Sequence, residues 1–302
     1  MFKENYKKQV NLLLSVLPEV AKEDCFALHG GTAINLFIRN MPRLSVDIDL
    51  TYIPIEDRAT SLKNISDSLI RIKSNIESII PRALVKHVSE KSKLYFALDG
   101  VQVKLEVNTV GRGVINPPKQ IILCDKAQNE FDAFCTMKIV SMGQLYGGKI
   151  CAALDRQHPR DLFDVKYLLD KEGITDEIKI GFLFYLISSD RPIHEIIKPN
   201  FQDQRLSMKN NFEGMAIETF SYQDFEATRK KLIKEINNSM TEQDKQFLLS
   251  FNDASPNWGI YNFENYPSVK WKLKNLKQLK ETNFSKHKEQ HKALMEKLEE
   301  KK

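Results

Sequence analysis

Two aspartates stand two positions apart in "RLSVDIDL", residues 43–50. The stretch alternates with a period of two: Arg43, Ser45, Asp47 and Asp49 fall on one face of a strand, and Leu44, Val46, Ile48 and Leu50 on the other. Adjacent carboxylates repel and resist ionising together, which makes the pair costly as decoration but reasonable as a seat for a divalent cation. The same parity in "VQVKLEVNTV", residues 101–110, turns Val101, Val103, Leu105 and Val107 inward and puts Gln102, Lys104, Glu106 and Asn108 opposite. If the two strands are neighbours, Glu106 joins Asp47 and Asp49. Three carboxylates completed by water and phosphate oxygens make an all-oxygen octahedral site, suited to one or two Mg2+ ions in an in-line phosphoryl or nucleotidyl transfer. A solvated polar face on an edge strand is the competing reading of the same alternation.

Just upstream, "LHGGTAINLF" places Gly30 and Gly31 between a strand ending at His29 and a helix expected from about Thr32. Glycines let a ligand approach the backbone, and a helix start aims N–H groups at phosphate. A rival phosphate loop is "GQLYGGK", Gly143 to Lys149, which has the spacing of a P-loop but carries Ile150 where Ser or Thr would hold Mg2+. We read it instead as a close-packed helix on which Lys149 and Arg156, seven apart, share a face. The following "RQHPRDLFDVKYLLD" opens a second helix at His158-Pro159, with Asp161 and Asp164 on one side beside Arg160. Lys149, Arg156, Arg160, Asp161 and Asp164 thus make a charged set on a helical hairpin, which is either functional or a salt-bridged helix pair.

The elements that must hold these groups change character along the chain. Strands are expected at 25–30, 45–53, 83–88, 93–98 and 101–110, with Asp99-Gly100 as a hairpin turn, and shorter ones at "KQIILC" and "FCTMKIV". Helices are expected at 4–17, 32–40, 56–79, 142–156 and 160–170, and nearly everything after residue 141 reads helical. Two domains follow, 1–140 and 141–302. The four cysteines form no C-x-x-C pair and stand in apolar text, so they read as buried thiols of a cytoplasmic protein. No apolar run is long enough to span a membrane.

The net charge of +5 is concentrated at the end. Residues 270–302 hold 11 lysines and 5 glutamates, so the rest of the chain is close to neutral. That tail is expected as a basic C-terminal helix opened by Pro267, fraying towards its end, and either simply exposed or a phosphate-attracting arm. His287 and His291, four apart, read as part of its solvated face rather than as metal ligands.

Taken in order, "HGGTAINLF…RLSVDIDLTY", "VKLEVN" and "LYGGKICAALDRQHPRDLFDVKYL" resemble the AbiEii-type nucleotidyltransferase toxins of bacterial toxin–antitoxin and abortive-infection systems. The resemblance implies an α+β fold: a polymerase-β-like nucleotidyltransferase core with a mixed sheet, then a mainly α-helical domain. It implies Gly31 and Thr32 at phosphate, Asp47, Asp49 and Glu106 at Mg2+, Lys149 on the triphosphate, and Asp161 or Asp164 as a helical acid. Gly30, Arg43, Ser45, Arg156 and Arg160 complete the expected nucleotide-binding set. The expected reaction transfers NMP from an NTP to an acceptor, RNA such as a tRNA 3′ end, with an antitoxin protein as partner. Alternatives keep the fold but change the acceptor to a protein or small molecule, or make the chain a non-catalytic nucleotide-binding module.

Overall fold

The structure is a computed structural model that describes residues 2–299. Met1 and residues 300–302, three of which were counted in the tail's charge, lie outside the described residues. In chain order the elements begin with α1 (Glu4–Val20), β1 (Phe26–His29), a single turn α2 (Gly30–Thr32) that widens into a π-helical turn (Ala33–Ile38), β2 (Asp47–Tyr52) and α3 (Arg58–Ile79). There follow β3 (Leu84–Val88), β4 (Lys93–Leu98), β5 (Val101–Asn108), β6 (Lys119–Ile122), α4 (Asp125–Phe131) and β7 (Thr136–Ile139). Helices then run on: α5 (Met142–Asp155), α6 (Pro159–Lys171), α7 (Asp176–Leu186), α8 (Ile193–Ile197), α9 (Arg205–Asn211), α10 (Tyr222–Ser239), α11 (Glu242–Asn252), α12 (Pro267–Thr282) and α13 (Phe284–Glu299). This is an α+β protein.

The chain divides into two compact units. The first comprises Met1–Ser141 together with Phe212–Thr219, a strap that returns from far along the chain. Its seven-stranded mixed sheet has the order β3-β4-β5-β2-β1-β7-β6. β2 runs parallel to β5 and antiparallel to β1, so the aspartate-bearing strand lies in the middle. Alternation decides its two faces: Ile48, Leu50, Leu105 and Val107 are buried, while Asp47, Asp49, Lys104 and Glu106 are only partly so. Helix α1 packs on β5 and β7, and α3 on β3 and β4, burying Leu13, Val16, Leu17, Ile65, Leu69, Ile72 and Ile76. The strap is tied in by backbone: Lys3 N–H donates to the Gly214 carbonyl (2.9 Å), Leu44 N–H to that of Met215 (2.7 Å), and Arg43 bridges to Ala216.

The second unit, Met142–Asn211 with Phe220–Lys302, is helical. Its tightest contact is between α5 and α7. A Cβ on Gly147 would lie 2.2 Å from the Gly181 carbonyl carbon, and one on Gly181 would lie 1.8 Å from the Gly143 carbonyl oxygen. These glycines let two backbones touch, which accounts for a glycine-rich helix that propensity alone disfavours. The P-loop reading ends here, because Gly143 to Lys149 is regular helix and its N–H groups are not gathered in a loop.

The tail departs from expectation. It is two helices, α12 and α13, parted at Asn283, and it does not fray within the described residues. His287, Leu294 and Leu298 are buried, at positions i, i+7 and i+11 of one helical face. His287 Nε2 lies 2.9 Å from the Asn252 carbonyl, and Lys297 donates to the carbonyls of His194 and Lys198, both at 2.9 Å. His287 is therefore core, not solvated face, and α13 is a wall of the helical unit. Among the described residues no helix is long and apolar enough to cross a membrane.

Candidate active site

The acids sit where strand register places them. In the β2–β5 pair, Asp47 is level with Lys104 and Asp49 with Glu106, while β1 sets His29 beside Asp49 and β4 sets Lys93 beside Glu106. One row across four strands therefore reads His29, Asp49, Glu106, Lys93. The next row carries Asp47, Lys104 and Tyr95. Side chains level across neighbouring strands share a face, so these residues form a polar patch on the side of the sheet away from its core.

The glycine pair serves this patch by leaving space. Gly30 has φ +72°, a left-handed conformation, and a Cβ there would lie 2.5 Å from Asp49 Oδ2. A Cβ on Gly31 would lie 2.8 Å from Arg43 Nη2 and 2.9 Å from Ser45 Oγ. The helix expected from Thr32 in fact starts at Gly30, and it is one α-turn followed by a π-turn. The Asn35 side-chain amide takes the Gly31 carbonyl (2.9 Å), the acceptor that a regular i to i−4 backbone bond would use, and the helix widens accordingly.

Thr32 is fully buried. Its hydroxyl meets the Asp47 carbonyl at 2.5 Å and the Ser45 hydroxyl at 3.0 Å, so in this structure it fastens the glycine turn to the start of β2. Arg43 is also buried and donates to the Leu44 carbonyl (2.8 Å). Sequence reasoning grouped Arg43, Ser45 and Asp47 by strand parity, but β2 begins at Asp47; the glycines bring them together instead.

Glu106 is level with Asp49, yet its carboxylate is held by Lys93 Nζ and Lys104 Nζ, each at 2.9 Å. Burial alone would raise this carboxyl, but the hydrogen bonds from Lys104 and Lys93 outweigh it and leave Glu106 below the usual range. Partial burial would likewise lower Lys104, and it is outweighed by the bond to Glu106 and the charges of Asp47, Asp49 and Glu106, so the ammonium is favoured. Among the described residues no group of three His, Cys, Asp or Glu is gathered closely enough to hold a metal ion. The Asp47–Asp49 pair itself fits a divalent cation: it is an oxygen-only donor set on one strand face, in a cradle that a side chain at Gly30 would fill. Sequence reasoning gave Lys93 and Lys104 no role. The signal for Lys104 was available, since it shares parity with Glu106 two residues on.

The second charged set lies in the helical unit. Lys149 is buried on α5 and reaches Asp161 Oδ1 (2.9 Å) and Asp164 Oδ2 (3.1 Å) on α6, while Arg156 holds Asp161 through Nε (2.6 Å) and Nη2 (3.0 Å). Burial would raise the Asp161 carboxyl, but the Lys149 and Arg156 charges hold it well below the usual carboxylate range. His158 caps α6 by accepting from Arg160 N–H (3.2 Å), with Pro159 in the first turn. This set is an ion-paired hairpin as it stands, and Arg160 is half-buried beside it.

The sequence matches the family model described as nucleotidyl transferase AbiEii toxin, type IV TA system, over residues 11–275. No curated protein matches. Among solved structures the fold is similar to that of MenT4, a nucleotidyltransferase toxin from Mycobacterium tuberculosis, at 12% identity and a TM-score of 0.61 over 90% of this chain and 93% of that one. A looser likeness, at 14% identity and a TM-score of 0.47 over 80% of this chain and 100% of that one, is to an H. pylori protein provisionally assigned as a nucleotidyltransferase.

Proposed function

Because the chain belongs to the AbiEii family of nucleotidyltransferase toxins, we propose that it moves a nucleoside monophosphate from an NTP to an RNA acceptor, in a Mg2+-dependent reaction centred on Asp47 and Asp49. The observation that carries this reading is the aspartate pair on β2, set against a glycine turn that leaves the Asp49 carboxylate room. Bound there, Mg2+ would offset the charge of the triphosphate and of the departing pyrophosphate.

The chain's own residues supply position. Thr32 and Ser45 pin the start of β2, so the aspartates are held in place before substrate arrives. Gly30 and Gly31 admit the phosphates, with the Arg43 guanidinium behind them. Lys149, Arg156, Arg160, Asp161 and Asp164 are proposed to handle the nucleotide; a phosphate reaching Lys149 would exchange one ion pair for another, because two carboxylates already hold that ammonium. RNA is favoured as acceptor by the exposed lysines of α12 and α13, among them Lys270, Lys274, Lys277, Lys286 and Lys288. A cytoplasmic location and a cognate antitoxin complete the proposal.

The test is incubation with Mg2+, each labelled NTP in turn, and total cellular RNA beside total protein. Label should enter RNA with one or a few NTPs, and Asp47→Asn and Asp49→Asn should each remove it while leaving the fold intact. Label entering protein alone would refute the acceptor, and full transfer by Asp49→Asn would refute the site.

A further inference from the structure

Glu106 stands where a third metal-binding acid is expected, but both of its oxygens are engaged by lysines. Of the two, Lys104 is the one that register places beside Asp47, and its ammonium lies in the field of Asp47, Asp49 and Glu106 together. An ammonium in a cluster of acids does part of a cation's work, because it lowers their mutual repulsion. We infer that Lys104, anchored by Glu106, is a built-in counter-ion of the Asp47–Asp49 pair, and that Glu106 is a positioning residue for this lysine rather than a ligand of a second metal ion. The site then takes one divalent cation, with the Lys104 ammonium in place of another. Lys93 completes the anchor by bonding the second oxygen of Glu106, so each oxygen of that carboxylate already faces an ammonium.

This inference rests on the proposed role of the aspartate pair, and the two are separable by measuring metal binding on the full chain without nucleotide. The probe is Mn2+, titrated and followed by electron paramagnetic resonance. The wild type should bind one ion, and Asp49→Asn should lose it; that arm tests the pair. Lys104→Met removes the charge but keeps the stem, so two like charges no longer compete and Mn2+ should bind roughly tenfold more tightly. Lys104→Arg should restore wild-type affinity, which a purely structural role for the side chain would not require. Glu106→Gln keeps an oxygen that can accept from Lys104, so the ammonium stays in place and affinity should change by less than about threefold. The inference is overturned if Glu106→Gln loses Mn2+ as Asp49→Asn does, if the wild type binds a second ion that Glu106→Gln removes, or if Lys104→Met leaves affinity unchanged. A wild-type chain that binds no Mn2+ would overturn the aspartate reading and this inference with it.

Discussion

Replacing Gly30 with alanine tests how closely the turn and the acids are fitted. The residue has φ +72°, where an L side chain costs roughly 1–2 kcal/mol. The larger effect is local. The new methyl would lie 2.5 Å from Asp49 Oδ2 and 3.2 Å from Asp49 Cβ, so the carboxylate must withdraw by about 0.5 Å to reach the shortest tolerable contact, and further to reach an ordinary one. It cannot step sideways freely, because His29 and Glu106 stand level with it on the neighbouring strands. A displacement approaching 1 Å at a reacting centre costs on the order of 100-fold in rate, so Gly30→Ala should slow transfer by roughly 10- to 100-fold. Mn2+ affinity should fall in parallel, while the melting temperature moves only by the backbone cost. Gly31→Ala is the control: its methyl would meet Arg43 Nη2 and Ser45 Oγ instead, so NTP affinity should suffer more than Mn2+ affinity. Transfer is measured with labelled NTP and RNA, metal by titration. If Gly30→Ala keeps transfer and Mn2+ binding within about twofold of wild type, the fitted cradle is wrong as a functional feature.

Three further outcomes follow from the helical unit, which holds both tryptophans, Trp258 and Trp271, and so reports its own unfolding by fluorescence. Gly147→Ala gains about 1 kcal/mol of helix propensity but drives a methyl into the backbone of α7, and the strain wins: urea denaturation should show a net loss of about 2 kcal/mol or more, whereas an unchanged midpoint would show that the helices can part without cost. Asp161 has a folded pKa below its unfolded one, so its stabilisation is complete above about pH 4 and is lost as pH falls through the folded value. Asp161→Asn should therefore flatten the acid limb of the stability profile and cost about 3 kcal/mol at neutral pH by leaving buried Lys149 with Asp164 alone; a parallel acid limb would rule this out. Truncation before Phe284 removes buried His287, Leu294 and Leu298, so it should loosen the helical unit and lower its unfolding midpoint, and a truncated chain with wild-type stability would restore the view of the tail as a detachable arm.

What could be read from the sequence was what local rules govern. Period-two alternation gave the faces of β2 and β5 and so paired Asp47 with Asp49. The turn at Asp99-Gly100 and the cap at His158-Pro159 were legible for the same reason: each depends on neighbours in the chain. Parity within β5 already put Lys104 beside Glu106, but which residues of β2 and β4 stand level with them depends on the register between strands, and no local pattern specifies that. Gly147-Gly148 hinted at close packing, but Gly181, which meets Gly147, lies in another helix and has no signature of its own. The tail misled because charge was counted over a span, whereas burial is decided by position on a helical face, and His287, Leu294 and Leu298 occupy one among many lysines. The strap at 212–219 carries no periodic pattern, and only the fold reveals it.

That strap sets the order of events during synthesis. The sheet unit is complete only when residues 212–219 dock on Lys3 and on the segment just before β2, at Arg43 and Leu44. Those residues are translated about 80 positions after Ser141, which at about 5–20 residues per second is a delay of roughly 4–16 s. Throughout that interval the emerging chain has every acid of the patch but lacks the backbone partner of Leu44 that fixes the approach to β2. Nascent chains arrested at successive lengths should gain protease resistance around residues 40–47 only once the strap has left the ribosome; resistance gained earlier would show that the sheet closes without it. A catalyst harmful to its own cell would, by this arrangement, remain unassembled until the first part of its helical unit, residues 142–211, had also been made.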